Sequence, residues 1–170
     1  MIETARLRLR LWRDDDIEHI DRIRSDERFM RYLGPRVDDA LTELARVRTH
    51  WEEKRYGIWA VEDRESGRFV GRCGLQVHRL WPDDVELGWG IDPELWGRGY
   101  ASEAATAALE HAFETVALPR VVSIVHPENI ASIRVAEKLG ERPYGTVYWA
   151  NGDVDLTVFA VERRANPAVD

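Results

Sequence analysis

Val85-Glu86-Leu87-Gly88-Trp89-Gly90-Ile91, then Asp92-Pro93-Glu94-Leu95, then Trp96-Gly97-Arg98-Gly99-Tyr100-Ala101-Ser102: the reading of this stretch decides the fold. Its first part predicts a strand. Alternation puts Val85, Leu87, Trp89 and Ile91 on one face and Glu86, Gly88 and Gly90 on the other. One carboxylate therefore stands beside two positions with no side chain, and glycines inside a strand often mark a bulge or a ligand close to the backbone. A turn through Asp92 to Leu95 follows, and the glycine-rich segment opens an alanine-rich helix. Free N–H groups and the dipole at that helix start favour an anion. A carboxylate, an open backbone and an anion cradle in one short stretch read as a cofactor site.

Downstream, Ala101, Ala105, Ala108, Ala112 and Val116 recur at helical spacing, with Ala104, Leu109 and Phe113 alongside. Side chains this small let the helix lie close to a sheet. Arg120 to Val125 reads as a short apolar strand ended by His126-Pro127. Asn129 to Leu139 reads as a helix, with Gly140 in its left-handed C-terminal cap. Tyr144 to Trp149 and Val154 to Val161 flank Ala150-Asn151-Gly152-Asp153, a hairpin signal.

Upstream, Leu7, Leu9 and Leu11 alternate with Arg8 and Arg10, predicting a half-buried strand whose arginines are solvated. Asp14-Asp15-Asp16 suits the start of a helix whose apolar side is Ile17, Ile20 and Ile23. The stretch through Phe29, Met30, Tyr32 and Leu33 stops at Gly34-Pro35. A second helix runs from Asp38 to about Lys54, with Ala40, Leu44, Val47 and Trp51 on one stripe. Ile58 to Val61 and Arg68 to Val77 read as neighbouring strands joined by a turn at Glu65-Ser66-Gly67. The fold class is α/β (α+β): a mixed sheet of about seven strands around a central strand–helix–strand unit, with about four helices. Residues 1–163 are expected to form one domain and 164–170 a flexible tail.

With 24 Lys and Arg against 31 Asp and Glu, the net charge of −7 does not favour a nucleic-acid partner and would suit a cationic substrate. One cysteine, Cys73, excludes an internal disulfide and fits a reducing, cytoplasmic setting. No apolar run approaches a membrane span, so no membrane partner is expected. The five histidines show no metal-ligand spacing, and no metal is expected.

The glycine turn alone admits a dinucleotide fingerprint, but the Asp92–Leu95 loop interrupts it, and Ala117-Leu118-Pro119 stands where a ribose-binding acid belongs. A phosphate-loop Gly-Lys-Ser or Gly-Lys-Thr is absent. One further reading stays open beside an enzyme: a nucleotide-binding protein using the same turn.

The stretch from Glu86 through Pro93 to Ala101 resembles the acetyl-CoA motif of the GNAT N-acetyltransferases. Their pattern, Gln/Arg-x-x-Gly-x-Gly/Ala, falls on Trp96 to Ala101. The departure at Trp96 is shared by the Rim-type ribosomal-protein acetyltransferases, which the chain resembles most. Asn129-Ile130-Ala131-Ser132, Glu137-Lys138-Leu139-Gly140 and the N-terminal Glu3 to Arg10 also match, so the resemblance spans nearly the whole chain.

That resemblance implies acetyl-CoA as co-substrate, a mostly antiparallel sheet splayed at its centre, and an amine acceptor, either a protein N-terminus or a small molecule; a homodimer would suit it, and a non-catalytic module that binds and senses acyl-CoA stays open beside the enzyme. Pyrophosphate would lie on the turn Gly97, Arg98, Gly99, Tyr100, Ala101 and Ser102. Pantetheine would run past the backbone of Trp89 and Ile91, and Asn129 would hold the cofactor from the next helix. Arg98, Arg134 and Lys138 are the nearest cations for its phosphates, with a solvated helix face as the alternative for Arg134 and Lys138. Glu86 is the candidate base, acting through water, against the reading of an exposed, solubilising glutamate. The family's usual acid, a Tyr seven residues after the motif Asn, is replaced by Ala136. Ser132 matches the serine that Rim-type enzymes place near the cofactor sulfur, and is the candidate acid; a helix-start serine bonding to nearby backbone is the alternative. Trp59, Trp149, Asp153 and Asp155 are weaker candidates for an acceptor pocket.

Overall fold

A computed structural model describes residues 1–33 and 39–164. The elements run β1 (Ile2–Glu3), β2 (Leu7–Arg10), α1 (Asp16–Arg24), α2 (Glu27–Met30), α3 (Ala40–Lys54), β3 (Ile58–Asp63), β4 (Phe69–His78) and β5 (Trp81–Ile91). After a 3₁₀ turn at Pro93–Leu95 come α4 (Tyr100–Glu114), β6 (Arg120–Val125), α5 (Ile130–Lys138), β7 (Arg142–Trp149) and β8 (Val154–Glu162). All eight strands form one sheet in the order β1-β2-β3-β4-β5-β6-β8-β7. Every pairing is antiparallel except β5 with β6, the two strands joined through α4. The predicted architecture is present, with one strand and one short helix, α2, more than expected among the described residues. The extra strand is β1, too short for alternation to register.

Both faces of the sheet centre are covered, and the burial of β3 shows it. Trp59 and Val61 belong to a core with Leu7, Leu9, Leu75, Leu87 and the alanines of α4. Ile58 and Ala60 pack the other way, with Trp12, Ile20, Phe29, Leu44 and Val47. Ala104, Ala105, Ala108 and Ala112 are fully buried, so the alanine stripe does bring α4 close against the strands.

Local signals set the helix ends. Asp39 accepts from the Thr42 N–H and caps α3. Gly140, at φ 84°, ends α5 in a left-handed cap, where the Glu141 N–H reaches the Ala136 carbonyl. The expected start of α3 at Asp38 and the break at Gly34-Pro35 lie outside the described residues, as does the tail beyond Arg164.

Several expectations need correction. Leu11 lies beyond β2 and is 56% exposed. Arg10 is not solvated: it is 8% exposed, donates twice to Asp16 and donates to Glu62 at 2.6 Å. Asp16 therefore serves a buried ion pair rather than a cap. The Arg10 guanidinium and the Arg13 N–H hold its carboxyl below the usual range despite burial. Trp59 is 1% exposed and packs edge-on to Trp51 and His111, so it lines no pocket. Trp149 covers its own hairpin turn, where a Cβ on Gly152 would lie 2.3 Å from the indole. That turn forms as expected, but the left-handed residue is Asp153 rather than Gly152.

Candidate active site

The parallel ladder between β5 and β6 has two rungs, Val85 with Val121 and Glu86 with Val122, and then the strands part. Side chains finish what the backbone leaves open. The Glu86 carboxylate accepts from the Ile124 N–H of β6, and the Ser123 hydroxyl reaches back 2.9 Å to the Leu87 carbonyl of β5. Since Leu87 turns its carbonyl toward β6, the two-residue period turns the backbone groups of Trp89 and Ile91 toward the same opening. Trp96 occupies one of them, donating its indole N–H to the Ile91 carbonyl at 2.7 Å. This contact explains a tryptophan at the first motif position: it ties the loop back to the strand it has just left.

A cavity of about 770 Å³ fills the opening. Its walls include Glu86, Trp89, Ile91, Gly97, Gly99, Tyr100, Ala101, Ser102, Asn129 and Ser132. Arg98 is the exception among the expected site residues. Its side chain is exposed and off the wall, and its carbonyl accepts from Arg6. Arg134 and Lys138 line the cavity, whereas Asp153 and Asp155 do not.

The start of α4 is built as a cradle. Gly97 and Gly99 sit at φ 77° and 81°, a conformation that costs other residues about 1 kcal/mol or more. No side chain caps the helix, so the first-turn N–H groups of Tyr100, Ala101 and Ser102 stay available to an anion. A brace invisible in the motif holds this turn. Glu103 accepts from the Thr4 hydroxyl and from the Arg6 backbone and guanidinium, and Arg6 stacks over the Tyr100 ring. Only packing of the N-terminal segment against α4 brings these residues together.

Asn129 is the N-cap of α5: its side-chain oxygen accepts from the Ser132 N–H at 3.1 Å. Its amide nitrogen remains a donor for a ligand. The Ser132 hydroxyl makes no hydrogen bond to the described residues, so the backbone-bonded alternative is not what forms.

Glu86 is 7% exposed and not a solubilising surface residue. Gln76 donates to it at 2.6 Å. Burial pushes its carboxyl above the usual range, against the pull of His78, Gln76, the Ile124 N–H and Arg72. Glu86 lies on the sheet face covered by α1 and α2, with Gly88 and Gly90. A Cβ at Gly90 would meet the Phe29 ring at 2.9 Å, so glycine there admits that ring to the wall. The Tyr32 and His126 rings meet at a tilt, centroids 5.0 Å apart, bridging the segment after α2 to the end of β6. Neither Tyr32 nor Phe29 carries a sequence signal for this role. Cys73 is buried away from the cavity, and burial raises its thiol well above the usual range. Among the described residues, no cluster of His, Cys, Asp or Glu could hold a metal, and no helix is long and apolar enough to cross a membrane.

The family profile described as acetyltransferase (GNAT) domain matches residues 6–142, and the chain belongs to that family. It is 35% identical over 144 residues to the uncharacterized protein YkkB of Bacillus subtilis, covering 81% of this chain and 82% of that one. With the uncharacterized N-acetyltransferase YoaA of the same organism it shares 29% identity over 169 residues, covering 95% and 96%. An acetyltransferase from Agrobacterium tumefaciens superposes with a TM-score of 0.83 at 30% identity, over 95% of this chain and 93% of that one. The spermidine N-acetyltransferase of Vibrio cholerae, solved with CoA and spermine, shares the fold with a TM-score of 0.77 at 20% identity, over 94% and 97%. The chain is thus an N-acetyltransferase that uses acetyl-CoA, and an uncapped helix start beside a split sheet suits such a donor.

Proposed function

We propose that the chain transfers acetyl directly from acetyl-CoA to a primary amine, with Glu86 as base and Ser132 as the acid for the departing thiolate. The observation that carries this reading is the buried Glu86 carboxyl, raised in proton affinity, on the wall where β5 and β6 part. Only a neutral amine attacks, and α-amines ordinarily lose their proton at a pKa of about 8. Glu86 takes that proton through water as the N–C bond forms. The Trp89 N–H, turned into the opening, donates to the oxyanion that develops on the acetyl carbonyl. As the C–S bond breaks, the Ser132 hydroxyl gives the thiolate a proton and is refilled from solvent. The N–H groups of Tyr100 to Ser102, with Arg134 and Lys138, hold the pyrophosphate. The buried, poorly ionised Cys73 supports direct transfer rather than an acyl-cysteine intermediate.

The wall argues for an acceptor class. Its described charged residues are Arg28, Arg31, Arg72, Arg134 and Lys138 against Glu86 and Glu128. The overall negative charge is therefore not repeated in the cavity. Such a wall suits the α-amine of a peptide, protein N-terminus or amino acid better than a polyamine. A thiol-release assay with peptides, amino acids, polyamines and aminoglycosides tests this. Turnover with α-amines is expected. A polyamine as the preferred acceptor would overturn the acceptor class, and binding without thiol release from any amine would leave an acyl-CoA sensor. We place the protein in a reducing compartment, where Cys73 stays a thiol.

A further inference from the structure

The side chains that close the seam between β5 and β6 are one proton short. The Ser123 hydroxyl lies 2.9 Å from the Leu87 carbonyl and 2.9 Å from Oε1 of Glu141. A hydroxyl has one hydrogen, and a carbonyl only accepts. Both contacts are full two-centre hydrogen bonds only if Glu141 supplies a proton of its own. Its surroundings agree: Glu141 is 0% exposed, and its Oε2 has no partner among the described residues. An ionised carboxylate with a dry, unpaired oxygen is far costlier than a neutral acid. The relay therefore runs from the Glu141 acid to Ser123, and from Ser123 to the Leu87 carbonyl.

The helix end explains how a glutamate comes to be there. With Gly140 left-handed and the Glu141 N–H on the Ala136 carbonyl, Glu141 stands two residues past the helix cap. That position is ordinarily apolar and packs on the last turn. Here it holds a carboxyl, and the partner it reaches is the serine on the seam.

We propose that Glu141 is a positioning residue for acetyl transfer: as a neutral acid it holds, through Ser123, the Leu87 carbonyl and so the strand whose next outward N–H groups, Trp89 and Ile91, receive the thioester. Ionisation of Glu141 releases this hold. The inference rests on the acetyl-transfer reading above. The charged groups around Glu141 are few. Burial, and after it Glu86 on β5, push its carboxyl upward to about 7 against the pull of the Ser123 hydroxyl. Arg142 on β7 spends an N–H on the Glu141 backbone carbonyl. From β4, His78 and Arg72 act on Glu86; β6 contributes the uncharged Ser123 and α5 the Ala136 carbonyl. Both carboxyls of the pair are raised by burial, and the geometry at Ser123 is what places a proton on Glu141.

The test is the pH dependence of acetyl-CoA affinity, measured by calorimetry on wild type, Glu141→Gln and Ser123→Ala. Wild type should lose about five- to tenfold in affinity as pH rises through about 7. Glu141→Gln keeps a donor to Ser123 at every pH and should bind with a flat profile. Ser123→Ala should bind more weakly and also flatly. Infrared difference spectra of wild type against Glu141→Gln should show the carbonyl stretch of a neutral carboxylic acid below this pH, and the band should persist in Ser123→Ala. Identical pH profiles in wild type and Ser123→Ala, or no neutral-acid band in wild type, would overturn the proposal. Failure of every amine to release thiol would instead remove the acetyl-transfer reading while leaving the band in place. If Glu141→Gln does not fold, wild type and Ser123→Ala still decide.

Discussion

Replacing Glu86 with glutamine isolates basicity from geometry. Glutamine keeps a carbonyl oxygen for the Ile124 N–H, and Gln76, which donates to Glu86 Oε2 at 2.6 Å, can turn its own amide to present an acceptor. The seam survives, and only the ability to take a proton is lost. A positioned general base contributes about 10²- to 10⁴-fold, or roughly 3–5 kcal/mol of barrier. Action through water places Glu86 in the lower part of that range, about 10²- to 10³-fold at pH 7. An α-amine is only about one-tenth neutral at pH 7 and almost wholly neutral by about pH 9.5. The deficit should therefore be deepest at low pH and shrink as the acceptor sheds its own proton. The assay is thiol release at saturating acetyl-CoA across that range, with calorimetry showing acetyl-CoA affinity within about twofold of wild type. Equal rates for Glu86→Gln and wild type at every pH would take Glu86 out of the mechanism.

Gly99→Ala meets no clash, since the nearest atom to its Cβ is an Arg6 guanidinium nitrogen at 3.6 Å. It should cost about 1 kcal/mol in urea denaturation through the positive φ, and weaken acetyl-CoA binding about tenfold as the cradle turns away. Ser132→Ala should slow turnover about tenfold with acetyl-CoA affinity retained, read by steady-state kinetics; wild-type turnover would remove it as the acid. Glu141→Gln also predicts stability. The folded Glu141 carboxyl is raised from an ordinary 4.5 to about 7, so its contribution is complete below 4.5 and lost as pH climbs through 7. Against the variant, wild type should lose up to roughly 3 kcal/mol over that interval, seen as a narrowing gap in denaturant midpoints.

The cradle and the central strand were legible because their signals are local: glycines at positive φ, alternation through Ile91, alanines at helical spacing. Local patterns could not reveal what tertiary packing decides. Trp81 to Asp84 extend β5 although Pro82, Asp83 and Asp84 disfavour a strand, because Asp84 accepts from the Trp81 indole and from Arg120. Arg10 alternates like a surface residue, yet Asp16 and Glu62 wait for it from α1 and β3. Glu86 was found as a carboxylate between glycines, but its burial depends on Gln76 and Ile124 across the sheet. Glu141 gave no signal, since a charged residue after a helix-ending glycine reads as solvent-exposed. The acceptor wall was hardest to read, because Phe29, Tyr32 and His126 converge from separate segments.

The two-rung ladder has a mechanical meaning. Strands β1 to β5 and strands β6 to β8 are each paired in unbroken order, and among the described residues ladder pairing joins the two groups at Val85–Val121 and Glu86–Val122. The sheet is therefore two cooperative units hinged on a short seam, with α4 lying across the joint. A pantetheine arm in the opening would stand where the missing rungs belong, so separating the units would require expelling it. Amides of β6 and β8 that exchange through that separation would then slow in proportion to donor occupancy. In such a molecule an acyl donor seated in the opening would also serve as a temporary strand, joining two halves that are otherwise held by a short seam.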